Sequence, residues 1–338
     1  MQGRNIILFS VLAIALAIVF VLQLVFGSVN IPFAEVISIL QGNSTNEAWS
    51  NIVIEARLPG ALAALLAGAG LSVSGLQMQT MFRNPVAGPY VLGISAGASL
   101  GVAILIMAST TIGITSEVRL MSSWSIILAA GLGAVLIFLI NFAISFRLND
   151  VVAILIIGLM IGGGISALIE ILQSITSNEA LKQYVLWTFG SFRYTNLSQI
   201  GYLAGVTVVG LVFSYALSKP LNLLLLGDTY ATTSGLNVQR AKIMIVLCTS
   251  ILAGSITAFC GPIGFVGLAV PHVARSVFKS ADHRILTPAC ALMGAIICCI
   301  CNIVSSTPGT DYVLPVNAIT SLLGAPIVIW IILKQRRL

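Results

Sequence analysis

Polar residues fall along this chain in short clusters between long apolar runs, and the runs are too long and too evenly apolar to be the inner faces of a soluble fold. A run of about 20 apolar residues crosses a bilayer core, and shorter ones serve where a helix is broken inside protein. On that measure the pattern predicts ten spans, near 5–26, 58–80, 88–108, 122–146, 150–172, 197–218, 240–259, 262–277, 285–305 and 313–333. The expected fold is an all-α integral membrane protein of about ten transmembrane helices, in a single domain over 1–338. The first run has only Arg4 ahead of it, no small-x-small site at its end and no soluble domain after it, so it reads as an uncleaved helix rather than a signal peptide. Between the sixth and seventh runs, Pro220, Gly227 and Gly235 interrupt residues 219–238, which predicts two short helices lying at a membrane face, the second capped by Asp228-Thr229. Ala67-Gly68 followed by Gly75 has the spacing of Ala253-Gly254 followed by Gly261. The two helices would run in opposite senses, as in an inverted repeat of spans 2–5 and 7–10.

Composition supports the same class. Hydrophobic residues make up 58% of the chain and charged residues 8%, against about a quarter charged in soluble domains. The net charge of +6 does not point to nucleic acid, because the basic residues stand singly between apolar spans. With both termini inside, twelve basic residues are cytoplasmic and four (Arg57, Arg119, Lys182, Arg193) are outside, the bias that sets orientation in a cytoplasmic (inner) bacterial membrane. All six cysteines lie in apolar runs without metal-ligand spacing, so no metal site is expected and they read as small buried hydrophobes. No stretch between spans is long enough for a nucleotide-binding domain, and no GxxxxGK[ST] loop occurs, so any ATP hydrolysis belongs to another polypeptide.

The segment 57–98 carries the most information. Ala64, Gly68, Ser72 and Gly75, spaced by four, four and three, put small residues on one helix face where a second backbone can approach closely. With Arg57-Leu58-Pro59, Ser74-Gly75, Gln79, Asn84-Pro85, Ala87, Pro89 and Leu92-Gly93, this segment resembles a signature of the FecCD-type ABC importer permeases for iron–siderophore complexes, haem and vitamin B12. A second match is Gly261-Pro262-Ile263-Gly264-Phe265-Val266-Gly267-Leu268 with Pro271-His272 and Arg275, where two glycines and a proline permit a tight bend and a helix start within the membrane. His272 has no second histidine or carboxylate in register, so it is expected to be a structural hydrogen-bonding residue. The resemblance covers roughly residues 30–333.

That resemblance implies partners and roles. The chain would be a non-enzymatic transport subunit, half of a dimer with an identical or homologous permease. It would work with two ATP-binding subunits, which hold ATP and Mg, and an extracytoplasmic substrate-binding protein. Leu226, Gly227, Asp228, Tyr230, Ala231 and Gly235 would form the coupling segment seated on the ATPase. Asn84, Val86, Val151 and Val152 would form the cytoplasmic gate, closing by apolar packing. Arg57 would dock the binding protein, although the further arginines of that docking set are replaced here by Gly60 and Ser306, which leaves Arg119, Lys182 or Arg193 to contribute.

The pathway for a large polar chelate needs small and hydroxylated residues, supplied by Ser72 and Gln79 in span two and by Gly158, Gly162, Ser166 and Glu170 in span five. The four-residue spacing in span five places an ionisable group at the end of a small-residue face, which marks either a pathway wall or a solvated carboxylate at the outer interface. An ion-coupled secondary transporter would share the repeats and broken helices, but it needs more acids inside the membrane than Glu170.

Overall fold

The computed structural model describes residues 2–27, 29–43, 46–108, 123–147, 151–193, 195–306 and 313–335, and among them every regular element is helical. In order these are α1 (Gln2–Val25), α2 (Phe33–Leu40), a short turn Glu47–Asn51 running through a π-helical Ile52–Arg57 into α3 (Leu58–Met81), and α4 (Ile94–Ala103). There follow α5 (Ser123–Arg147), α6 (Val151–Ile175), α7 (Asn178–Thr188), α8 (Leu197–Ala216), α9 (Ser218–Leu225) and α10 (Asp228–Thr233). The chain ends with α11 (Val238–Cys260), α12 (Val266–Phe278), α13 (His283–Ser305) and α14 (Val316–Gln335).

Among the described residues, seven helices are long and apolar enough to cross a membrane. The remaining expected spans are shorter apolar helices, Ile94–Met107, Val266–Phe278 and Val316–Ile329. Two of them are preceded by a break inside the bundle, a 3-10 turn Pro89–Leu92 before α4 and a non-helical stretch 261–264 before α12. Gly93 (φ 70°) precedes α4 and Phe265 (φ 64°) precedes α12, both in the left-handed region. For Phe265 that conformation costs roughly 1–2 kcal/mol. The Asn317 side chain steadies the stretch before α12 by accepting a hydrogen bond from the Gly264 N–H (2.9 Å).

Helix α3 is the hub. From Pro59 to Met81 only Leu62 and Leu65 are not fully buried, and α11, α12, α13 and α8 surround it. Small residues make this possible. A Cβ on Gly68 would sit 2.1 Å from the Gly294 carbonyl oxygen of α13, and one on Gly75 1.8 Å from that of Gly267 in α12, so backbone touches backbone at both places.

The partners of α3–α6 and of α11–α14 correspond: α3 packs on α13 as α11 packs on α5, α3 on α12 as α11 on α4, α4 on α5 as α12 on α13, and α4 on α6 as α12 on α14. Gly68 faces Gly294, and its counterpart Gly254 faces Ala134 of α5. Around this core α1 lies along α13 with Ile6, Ile7, Val11, Ile14 and Ile18 exposed, a face suited to lipid. All six cysteines are buried and free of disulfides.

Candidate functional site

Residues 218–235 lie across the end of the bundle where Arg4, Arg83, Lys242 and Arg275 gather, the end assigned to the inside by charge; Arg4 there donates to the Phe278 carbonyl (2.7 Å). Two short helices form, as expected. Pro220 does not break the first one: it sits in the opening turn of α9, where its missing N–H has no helical partner to lose. Gly227 (φ 113°) separates α9 from α10, and Gly235 (φ 84°) ends α10. Nor does Asp228 cap α10, since Gly227 holds that position without a side-chain bond. The carboxylate instead forms ion pairs with Arg83, in the turn after α3, and with Lys242 Nζ (2.7 Å) of α11.

Leu221, Leu224 and Ala231 are buried under the segment, while Leu226 and Tyr230 stand 63% and 53% exposed. The segment thus has one face glued to the bundle and one free. A second tie lies beneath α9. Asn222 Nδ2 donates to Asp282 Oδ1 (2.6 Å), and Asn222 Oδ1 accepts from the backbone N–H of His283 (2.9 Å) and from its Nδ1–H (2.7 Å). With Nδ1 protonated, Nε2 is left to accept from Thr80 Oγ1 of α3 at 2.8 Å.

Sequence reasoning missed Arg83, Lys242, Asn222 and His283 as members of this site. Asp282 ahead of an apolar run is a helix-cap signal, but nothing local says that the next residue turns under α9.

The turn after α3 carries the gate residues Asn84 and Val86. Asn84 Oδ1 accepts from the Val86 N–H (3.0 Å), and Val86 is 42% exposed. His272 of α12, as expected for a structural histidine, donates from Nε2 to the Pro85 carbonyl (2.8 Å). Val151 and Val152 open α6, but their side chains lie outside the described residues, so the packing of the gate is not brought together here.

Ser72 and Gln79, expected on the pathway, are buried packing residues. Ser72 Oγ donates to the Cys290 carbonyl of α13 (2.7 Å). Gln79 donates to the Leu268 carbonyl (3.1 Å) and accepts from Arg275 Nη1 (2.6 Å), both in α12.

In α6 the small-residue row does not stay on one face. Four residues advance a helix by about 40° beyond a full turn, so the row winds round the helix. Gly158 is buried against Gly93, Gly162 is half-buried beside it, and Ser166 and Glu170 are exposed. Leu159 is 57% exposed and falls by the same arithmetic between Ser166 and Glu170.

At the opposite end, Arg57 is half-buried and occupied. Its guanidinium donates to the carbonyls of Leu24 (2.7 Å), Val25 (2.7 Å) and Val29, where α1 ends. The last carbonyls of a helix lack internal partners and carry the negative end of the dipole, so a cation is stabilising there. Arg57 and Arg193 with Gly60, Asn302 and Ser306 line a cavity of about 100 Å³. Lys182 and Arg193 are exposed at this end, and Arg119 lies outside the described residues.

Comparison with known proteins gives one answer. Residues 15–334 match the model of the FecCD transport family. The hemin transport system permease protein HmuU of Yersinia pestis is 36% identical over 298 residues, 88% of this chain and 87% of that protein. The vitamin B12 import system permease protein BtuC of Salmonella typhi is 35% identical over 285 residues, 84% of each chain. Among solved structures, an inward-facing conformation assigned to the metal-chelate type of ABC transporter superposes with a TM-score of 0.84 at 27% identity, covering 97% of this chain and 99% of that one.

Proposed function

This chain belongs to the FecCD transport family as an ABC importer permease, and we propose that it carries an iron–siderophore complex, with haem and cobalamin the next substrates in order. The named relatives handle hemin and vitamin B12, both large chelates of a metal, and this supports the substrate class. As a multi-pass membrane permease the chain supplies passage rather than chemistry. In the assembly we infer, two permease subunits, identical or homologous, sit on two ATP-binding subunits that hold ATP and Mg, and a substrate-binding protein delivers from outside.

Ten crossings follow if the three shorter helices each complete a span within the bundle, and the corresponding packing of α3–α6 and α11–α14 supports an inverted repeat. An even number of crossings places both termini on the basic, inner side. Asn84 and Val86 with Val151 and Val152 close the inner gate, and the exposed Ser166 and Glu170 of α6 line the outer part of the passage. Arg193 and Lys182 serve docking, since Arg57 is held by α1.

The observation that carries the coupling role is the 218–235 segment, anchored on one face and free on the other. Leu226 and Tyr230 on the free face meet the ATPase, Gly227 and Gly235 shape the bends, and Asp228 and Ala231 hold the segment to the bundle. Cysteines at positions 226 and 230 should therefore crosslink to the ATP-binding subunit, whereas one at the buried 231 should not. Failure at both exposed positions in an assembled complex refutes the coupling role. Binding of ferric siderophore, hemin and cobalamin by the cognate binding protein, measured by titration, decides the substrate.

A further inference from the structure

Arg83 stands in the left-handed region (φ 46°) at the turn that leaves α3. Its guanidinium reaches both short helices of the segment, pairing with Asp228 of α10 and donating from Nε to the Leu224 carbonyl at the end of α9 (3.3 Å). Asp228 in turn is held by Lys242 Nζ of α11 at 2.7 Å. One carboxylate therefore joins α10 to the end of α3 and to the start of α11.

The turn is braced by its own hydrogen bonds. The backbone N–H of Arg83 donates to Thr80, that of Asn84 to Gln79 and that of Ala87 to Asn84 (3.2, 3.2 and 3.1 Å), and the Asn84 side chain takes the Val86 N–H at 3.0 Å. On its far side the turn meets α12, where His272 Nε2 donates to the Pro85 carbonyl (2.8 Å) and the Leu268 side chain lies beside Gly88. A displacement of α10 would therefore reach Val86 through the Arg83–Asp228 pair and this hydrogen-bonded turn.

The Arg83 and Asp228 side chains are 48% and 44% exposed, so the pair adds little stability to the isolated protein. Covering by a partner removes water and strengthens the same link.

The geometry points to Arg83 and Lys242 as positioning residues that transmit movement of the coupling segment to the Asn84–Val86 turn. This rests on the coupling role proposed above, and it adds a specific route from the ATPase to the gate. The two ideas fail differently in one experiment. Val86→Cys is placed in a cysteine-free permease, assembled with its ATP-binding subunits in nanodiscs. Its rate of reaction with a water-soluble maleimide is measured without nucleotide and with Mg-ATP and vanadate. The parent should show a nucleotide-dependent change on the order of fivefold or more, the lower end of ordinary coupling between sites. Arg83→Gln should abolish that change, and Arg83→Lys, which keeps the cation, should restore part of it.

A merely structural role for Arg83 would shift both rates together and leave their ratio intact, and that result overturns the proposal. Should Arg83→Gln not assemble, Lys242→Gln removes the other arm of the bridge without touching the turn. A parent-sized ratio in that variant overturns the proposal equally. A parent with no nucleotide response in an assembled complex sinks the coupling role and this route with it. A parent that responds, alongside an Arg83→Gln variant that responds as strongly, sinks the route alone.

Discussion

Replacing Gly68 by Ala adds one methyl group at the tightest crossing in the protein, where the hub helix α3 meets α13. The new Cβ would lie 2.1 Å from the Gly294 oxygen, 2.5 Å from its carbonyl carbon and 2.8 Å from the Ala295 nitrogen. All three are backbone atoms, so no side chain can swing away, and Gly294 has none to shorten. Bringing the oxygen contact even to 3.0 Å requires 0.9 Å of separation at this point. A gap of 0.5–1 Å forfeits about a quarter to a half of each dispersion contact it opens, and the hydrogen bond from Ser72 to Cys290, one turn along, stretches with it. Overpacking in a well-filled core costs about 1–3 kcal/mol, and the absence of any flexible neighbour puts this site toward the upper figure.

The control is Gly131→Ala in α5, where nothing lies within 4 Å. The assay is the fraction of monodisperse protein left after heating in detergent, followed by chromatography. At about 2–4 °C per kcal/mol for a mid-sized protein, Gly68→Ala should lose several degrees and Gly131→Ala none. Equal midpoints for the two variants would mean that α3 and α13 do not touch through backbone, and the account of the hub would fall.

Two further outcomes follow from side-chain placement. Arg57→Gln removes a cation from the carbonyls that end α1, so thermal stability should fall by about 1–2 kcal/mol, while Arg193→Glu, on an exposed side chain, should instead weaken stimulation of ATPase activity by the binding protein; intact stability in the Arg57 variant would return that residue to docking. Cysteines along α6, in a background without the native ones, should label with a water-soluble thiol reagent strongly at positions 166 and 170, slowly at 162 and not at 158, and uniform labelling of all four would restore a single open face.

The hydrophobic pattern was enough to identify an all-helical membrane protein and to locate the seven long apolar helices among the described residues, because the bilayer imposes a length and an apolar composition that need no tertiary partner. The glycine-rich break at 261–265 and the two short helices of 218–235 were also legible, since left-handed backbone positions such as Gly227 and Gly235 favour a particular residue. Spacing along a helix was less reliable as a guide to function. The row Gly158, Gly162, Ser166, Glu170 winds from a packed face to an open one, and Ser72 and Gln79 are buried in hydrogen bonds to α13 and α12.

Polar roles were decided by the fold alone. Arg57 ends α1, Asp228 bridges Arg83 and Lys242, and His283 turns under α9 to Thr80. Each of these partners lies between 14 and 203 positions away in the chain. A charged side chain can satisfy itself with any group the fold brings within about 3 Å, so its identity announces what it can bind, and only the packing of the helices chooses the partner.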